Sequence, residues 1–87
     1  MSHSHPGGEG RDLLAELKGA VLAAIPDAVV QVSGGGGHFE LDVVSPVFAG
    51  KSPLQSQRLV YSAIKHLMAG NAAPVHAIDT LRTRVPQ

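Results

Sequence analysis

The segment that most constrains the fold of this 87-residue chain is residues 38–45, HFELDVVS, in which apolar and polar residues alternate. Every second residue from Phe39 to Val43 is apolar, and this period of two predicts a strand that buries one face. Residues 28–33, AVVQVS, are rich in β-branched side chains and predict a second strand. The four glycines at residues 34–37 tolerate positive φ, so they predict a hairpin loop between the two strands.

One helix is predicted on each side of this hairpin. In residues 11–25, aliphatic side chains recur at steps of three and four, and Pro26 then disfavours helix at the residue before it. The second helix begins at Ser52, which suits an N-cap, with Pro53 at the first helical position and Gln55 completing a capping box. The buried stripes predicted for the two helices are Leu13, Leu14, Leu17, Val21 and Ile25 in the first, and Leu54, Tyr61, Ile64 and Leu67 or Met68 in the second.

A third strand is predicted at residues 74–83, PVHAIDTLRT, which completes the order α-β-β-α-β and indicates an α+β fold. Residues 1–10, MSHSHPGGEG, have no periodicity and predict a disordered N-terminal tail. The folded domain is expected to span residues 11–83, with residues 84–87 as a C-terminal tail. A chain of this length has room for one small domain with a modest core.

Composition argues against several kinds of function. Seven Lys and Arg are balanced by seven Asp and Glu, so non-specific nucleic-acid binding through clustered cations is not indicated. The chain has no cysteine, which excludes disulfides and any metal site built only from its own thiolates. It has no apolar run of about 18 residues and no signal-peptide core, so we expect a cytoplasmic protein without membrane contact. We find no set of nucleophile, base and orienting group, and we expect no enzyme activity.

Two glycine motifs in the chain look like ligand-binding loops. Gly50-Lys51-Ser52 before a helix has the letters that end a phosphate-binding loop, but the first glycine of such a loop is replaced here by Ser45. We interpret Gly50 as a turn residue, Lys51 as solvated and Ser52 as a helix cap. The glycines at residues 34–37 match the Gly-x-x-Gly clamp of KH domains, but that clamp joins two helices, whereas these glycines join two strands.

Two histidines are expected at the same end of the sheet. His38 begins the second predicted strand and His76 lies near the start of the third, with a helix between them. Because a strand–helix–strand crossover returns the chain in the same direction, the two strands are parallel if they share a sheet. Neighbouring strands are about 4.8 Å apart, and one intervening strand doubles that distance. Both imidazoles can then bind a common ligand if they face the same side.

Taken together, these residues resemble the BolA family. The specific pieces are the segment VVSPVFAGKS at residues 43–52, RLVY at residues 58–61 and VHA at residues 75–77, and the resemblance covers roughly residues 11–80. The family's fold is similar to that of a class II KH domain, in which helices pack on one face of a three-stranded mixed sheet. The resemblance therefore implies the same order of elements as the sequence pattern predicts.

Two departures from the family pattern stand out. Where the family commonly has Arg-His-Arg, this chain has Ser56, Gln57 and Arg58, which weakens any role assigned to the start of the second helix. The final strand is one residue longer than the usual spacing to its closing Thr, and this extra residue predicts a bulge.

The resemblance implies a partner and a cofactor. BolA-like proteins pair with monothiol glutaredoxins and share a bridging [2Fe-2S] cluster with the glutaredoxin cysteine and glutathione, in iron–sulfur trafficking or in iron and redox regulation. His76 matches the family's C-terminal ligand, and His38 is the candidate for the second ligand, which in the family comes from the loop between the first two strands. Two histidines can replace two thiolates on such a cluster, and their ligation is pH-sensitive because a protonated histidine cannot bind metal.

The alternative that the resemblance leaves open is a KH-like transcriptional regulator that binds nucleic acid. The residues expected to contact a partner or nucleic acid are Gly50, Lys51, Arg58 and Lys65. The neutral net charge and the missing cation at Ser56 count against the DNA-binding alternative. Alone, the chain is expected to hold no cofactor and to be a monomer or a weak dimer.

Overall fold

The computed structural model describes residues 11–87, and the tail predicted at residues 1–10 lies outside the described residues. The elements follow the predicted order α-β-β-α-β, with two short 3-10 turns that the sequence pattern did not predict. They are α1 (Leu13–Ala24), β1 (Val29–Gly35), β2 (His38–Val44), a first 3-10 turn (Pro46–Phe48), α2 (Pro53–Ile64), a second 3-10 turn (Lys65–Leu67) and β3 (Ala77–Arg84). None of the helices in residues 11–87 has both the length and the apolarity to span a membrane.

The three strands form one mixed sheet in the order β1-β2-β3. β1 and β2 are antiparallel, whereas β2 and β3 are parallel because α2 returns the chain to the end where β2 begins. Both helices pack on one face of the sheet, where their apolar side chains meet Phe39, Leu41 and Val43 in the core. The predicted α+β fold with helices on one face of a three-stranded sheet is confirmed.

The hairpin loop is shorter than the four glycines predicted. β1 continues to Gly35, which pairs with His38, so the turn consists of Gly36 and Gly37 alone. Both turn residues have positive φ, at 65° and 86°, as two-residue turns of this kind require. The prediction was wrong in extent because the first two glycines extend the β-ladder, and the turn therefore places His38 immediately at the end of the sheet.

The buried stripe of α2 differs from the predicted one. Leu54 is 55% exposed and Tyr61 is 36% exposed, so both were wrongly assigned to the core. The helix instead buries Ser56, Val60 and Ile64. Successive helix residues are rotated by about 100°, which places residues 54 and 61 about 140–160° from residue 56. The two predicted residues share a face with each other, but it is the face turned away from the sheet.

The N-terminal helix packs largely as predicted. Leu17 and Val21 are buried, and Ile25 is buried at the C-cap, whereas Leu14 is 39% exposed and was wrongly placed in the core. The helix begins at Asp12, whose carboxylate accepts a hydrogen bond from the Ala15 amide at 3.1 Å.

The start of α2 confirms the structural interpretation of Gly50-Lys51-Ser52. Gly50 has a φ of 77°, which permits the turn into the helix. The Ser52 hydroxyl accepts from the Gln55 amide at 3.1 Å, and the Gln55 side-chain oxygen accepts from the Ser52 amide at 2.9 Å. This reciprocal pair is the predicted capping box, so the Ser52 hydroxyl and amide serve the helix itself.

The predicted bulge is present in β3. The register against β2 shifts between Phe39 and Glu40, so Asp79 is an extra residue without a pairing partner. Ile78 and Leu81 both pack against the core although they are three residues apart. A regular strand points residues at odd spacings to opposite faces, so the extra residue between them is what turns both inward. At its other end β3 includes Arg84, the first residue of the predicted tail.

Candidate metal-ligand site

His38 stands at the end of the central strand. It follows directly on the hairpin turn and lies between Gly35 of β1 and Ala77 of β3. Because the next residue, Phe39, is buried in the core, the alternation along the strand directs the His38 side chain to the opposite, solvent-facing side of the sheet. The side chain is 57% exposed.

His76 is held at the start of β3 by main-chain hydrogen bonds. Its amide donates to the Gly37 carbonyl at 2.8 Å, and the Ala77 amide donates to the same carbonyl at 3.1 Å. The preceding Val75 is fully buried, and its amide donates to the Leu67 carbonyl at 3.1 Å. These contacts join the hairpin turn to the start of β3, while the His76 side chain remains exposed.

The two imidazole rings therefore lie side by side. Their centres are 6.3 Å apart and their planes are inclined at 85°. Two imidazoles on one tetrahedral metal ion have ring centres about 5 Å apart when the metal–nitrogen bonds are about 2.0–2.1 Å. The separation of His38 and His76 exceeds that value by about 1.3 Å, so the two rings must rotate toward each other to share a metal centre.

The His76 ring packs on the backbone of Gly37. A Cβ atom at this position would lie 2.6 Å from Nδ1 and 2.8 Å from Cγ of the ring, closer than real Cβ atoms approach other atoms. A side chain there would therefore displace the His76 ring, and the φ of 86° also favours glycine. The last glycine of the run is therefore needed for the position of His76 as well as for the turn.

Asp79 is a third polar residue at the same place, and its role there was not predicted from the sequence. Its Oδ1 lies 3.2 Å from Nδ1 of His38, and its side chain is 53% exposed. We call His38, His76 and Asp79 the histidine edge. The odd spacing of Ile78 and Leu81 indicates an extra residue between them, but it does not indicate which way the side chain of that residue turns.

The other predicted contact residues do not gather around the histidine edge. Gly50 and Lys51 precede the first turn of α2, whereas Lys65 follows its last turn. A helix of 12 residues is about 18 Å long, which separates these positions widely. Lys65 lies at the end nearer His76, and Arg58 is exposed midway along the helix.

Residues 11–87 contain no group of three or more His, Cys, Asp or Glu side chains arranged to hold a metal ion. The histidine edge thus offers two imidazoles and needs further ligands from elsewhere to complete a metal centre.

Two further charged pairs lie outside the histidine edge. Arg84 contacts Asp42 at 3.2 Å on the open face of the sheet. At the start of α1, Arg11 donates to both carboxylate oxygens of Glu16, at 2.7 and 2.8 Å. These hydrogen bonds lower the pKa of Glu16 and raise the pKa of Arg11.

The chain is similar in sequence to one known protein family and to individual known proteins. A family profile described as BolA-like protein matches residues 2–87. The chain is 40% identical over 63 residues to the uncharacterized protein in the rpoN-murA intergenic region of Acinetobacter guillouiae, covering 72% of this chain and 74% of that protein. It is 32% identical over 64 residues to the acid stress protein IbaG of Escherichia coli, covering 74% of each. It is 47% identical over 49 residues to BolA-like protein 1 of Bos taurus, but this match covers 56% of the chain and only 33% of the bovine protein.

Solved structures have the same architecture. The solution structure of BolA1 from Mus musculus matches with a TM-score of 0.69 and 32% identity, covering 99% of this chain and 78% of the mouse protein. A crystal structure of a Bol-like protein from Babesia bovis matches with a TM-score of 0.68 and 27% identity, covering 90% of each chain. The fold thus places the chain among the α+β proteins with two helices on a three-stranded mixed sheet. Within that class, the chain belongs to the BolA family.

Proposed function

We propose that this chain is an adaptor that binds a monothiol glutaredoxin and supplies His38 and His76 as two ligands of a bridging [2Fe-2S] cluster. The observation that carries the proposal is the pair of exposed imidazoles at one end of the sheet, with ring centres 6.3 Å apart. Two histidines replace two thiolates on one iron in Rieske-type centres, so this donor set suits the cluster. Membership of the BolA family supports the same function.

The chain supplies only part of the ligand set in this proposal. It has no cysteine, so the sulfur ligands come from the glutaredoxin and from glutathione. The bound cluster would provide the electron-transfer and iron–sulfur transfer chemistry. This chain brings two imidazoles close together, because both residues lie where main-chain hydrogen bonds join the hairpin turn to β3. This division of roles makes the chain an adaptor and not an enzyme.

Mixing the purified chain with cluster-loaded monothiol glutaredoxin and glutathione tests the proposal. We expect a heteromeric complex in size-exclusion chromatography and a changed visible circular dichroism spectrum. His66→Ala is the control for loss of a histidine, because His66 is an exposed histidine on the second 3-10 turn, outside the histidine edge. This variant should form the complex and give the same spectrum as wild type. A wild-type mixture that forms no complex and retains the spectrum of glutaredoxin alone would contradict the proposal.

Nucleic-acid binding has less support. The candidate cations Lys51, Arg58 and Lys65 are spread along the length of α2 and do not form a cluster. Another exposed cation, Arg84, is paired with Asp42. A duplex-binding titration over a range of salt concentrations distinguishes the two functions. Phosphate contacts would give affinities that fall steeply with salt, and an adaptor for glutaredoxin is expected to bind the duplex weakly or not at all.

A further inference from the structure

The bulge residue of β3 places a carboxylate beside one of the two candidate ligands. Asp79 Oδ1 lies 3.2 Å from His38 Nδ1, within the range of an N–H···O hydrogen bond. The two residues are 41 positions apart in the sequence and meet because β2 and β3 are parallel neighbours. Asp79 has no pairing partner on β2, so its position is set by the bulge.

The chemistry of this contact determines which ring nitrogen of His38 is free. An ionised carboxylate can only accept hydrogen bonds, so the nitrogen that contacts it carries the proton. A neutral imidazole has one N–H group, and with the proton on Nδ1 the lone pair lies on Nε2. The His38 side chain is more than half exposed, so a partner can reach this nitrogen.

We propose that Asp79 is a positioning residue that holds His38 in the Nδ1–H tautomer and presents its Nε2 lone pair for coordination. The identity of the metal centre rests on the proposed function, but the tautomer does not. Metal-binding histidines commonly donate their second N–H to a carboxylate, and loss of that partner typically costs about 10–100-fold in metal affinity.

The other histidine ring is positioned by packing and not by a carboxylate. The three ring atoms of His76 that lie nearest a Cβ built on Gly37 are Nδ1, Cγ and Cε1, so its Nε2 is the nitrogen farther from the turn. Both rings thus have Nδ1 nearer than Nε2 to the contact that positions them. For His38 this contact is a carboxylate that can set the tautomer, whereas for His76 it is packing on glycine, which orients the ring without choosing a tautomer.

The pairing of β2 with β3 suggests a variant, the deletion of Asp79, that removes the carboxylate while keeping the sheet. Phe39 pairs with Ile78 and Glu40 pairs with Thr80, so deleting Asp79 leaves both pairs in a continuous ladder. In the deletion variant Ile78 and Leu81 become two residues apart, and both still face the core. The deletion is therefore expected to fold, and it complements the simple substitution Asp79→Ala.

Long-range ¹⁵N–¹H NMR of the histidine rings tests the tautomer in the chain alone, in mildly alkaline solution where an ordinary imidazole is neutral. We expect the Nδ1–H tautomer for wild-type His38 and for Asp79→Asn, because the amide oxygen still accepts a hydrogen bond. Asp79→Ala and the deletion should both return His38 to the Nε2–H tautomer that free histidine prefers. The tautomer of His76 should stay the same in all variants, since Asp79 does not bond to it.

Asp42→Ala is the matched control, because Asp42 is also on the open face of the sheet but contacts Arg84 instead of a histidine. A wild-type His38 with its proton on Nε2, or a tautomer unchanged by Asp79→Ala, would overturn the proposal.

Affinity for cluster-loaded glutaredoxin provides the second measurement. We expect Asp79→Ala to weaken binding about 10-fold and Asp79→Asn to weaken it less. An affinity unchanged by Asp79→Ala would overturn the coordination role of Asp79. Should wild type form no complex, the proposed function fails, while the NMR measurement still decides whether Asp79 sets the tautomer.

Discussion

The histidine edge and the start of α2 both look like binding motifs in the sequence. In the structure they differ in whether their polar groups are hydrogen-bonded within the chain. At the start of α2, the hydroxyl and amide groups of Ser52 and Gln55 satisfy one another in a capping box. At the histidine edge, two exposed imidazoles each keep one nitrogen clear of the contacts that hold the ring. A motif whose polar groups are satisfied within the chain supports the fold, whereas groups held in place but left unsatisfied are available to a ligand.

Removal of either candidate ligand should have the largest effect on function. We expect His76→Ala to abolish the visible spectrum of the complex with glutaredoxin and His38→Ala to weaken or alter it. Neither change should reduce the free energy of unfolding by more than about 0.5 kcal/mol, because both side chains are exposed. Visible circular dichroism and urea denaturation measure the two effects. A His76→Ala variant with a wild-type spectrum would show that the histidine edge does not bind the cluster, and it would contradict the functional difference between the two regions.

Gly37→Ala tests whether the position of His76 depends on its contact with the turn. The positive φ alone should cost about 1–2 kcal/mol of unfolding free energy. Gly36→Ala is the matched control, because Gly36 also has positive φ but has open space where a Cβ would lie. We expect Gly37→Ala to be the more destabilising of the two and to shift the ring resonances of His76 in NMR. Equal stabilities together with unchanged His76 resonances would contradict the packing described here.

Ser52→Ala tests the opposite region. Loss of the cap should lower the free energy of unfolding by about 1 kcal/mol, because the Gln55 amide loses its acceptor. The visible spectrum of the glutaredoxin complex should stay the same, since Ser52 caps the start of α2, whereas the segment that leads to His76 contacts the turn after the end of α2. Thermal unfolding and visible circular dichroism measure the two quantities, and a loss of the complex spectrum without a loss of stability would assign this motif to binding.

Most of the fold could be predicted from local pattern, because caps and strand alternation are local. The capping box at Ser52 and the alternation from Phe39 to Val43 are examples. The face of α2 that packs on the sheet could not be predicted from this local pattern. Leu54 and Tyr61 are apolar at a helical spacing, but the sheet is met by the face that carries the small residue Ser56.

The candidate site was predictable only in part. The positions of His38 and His76 follow from the parallel crossover, which applies to any strand–helix–strand unit. Asp79 could not be assigned in the same way, because its contact with His38 depends on which way a bulge residue turns. That direction is set by tertiary packing of β3 and not by local sequence.

The smallest expected effect concerns acid and lies in neither region. The Arg11 hydrogen bonds lower the pKa of Glu16 from its ordinary 4.5, so the ionised carboxylate stabilises the fold above that ordinary value. This contribution is lost as the pH falls through the lowered pKa of the folded state. Wild type should therefore lose slightly more stability than Glu16→Gln between about pH 6 and about pH 3. Parallel losses in urea denaturation at the two pH values would show that the pair contributes nothing.

The most direct test of the central claim is pulsed electron paramagnetic resonance on the reduced complex. The chain is labelled with ¹⁵N, and the glutaredoxin and glutathione are left unlabelled. We expect coupling of the reduced cluster to two ¹⁵N histidine nitrogens, with one coupling lost in His38→Ala. A cluster that shows no strong coupling to ¹⁵N from this chain would contradict the assignment of His38 and His76 as ligands.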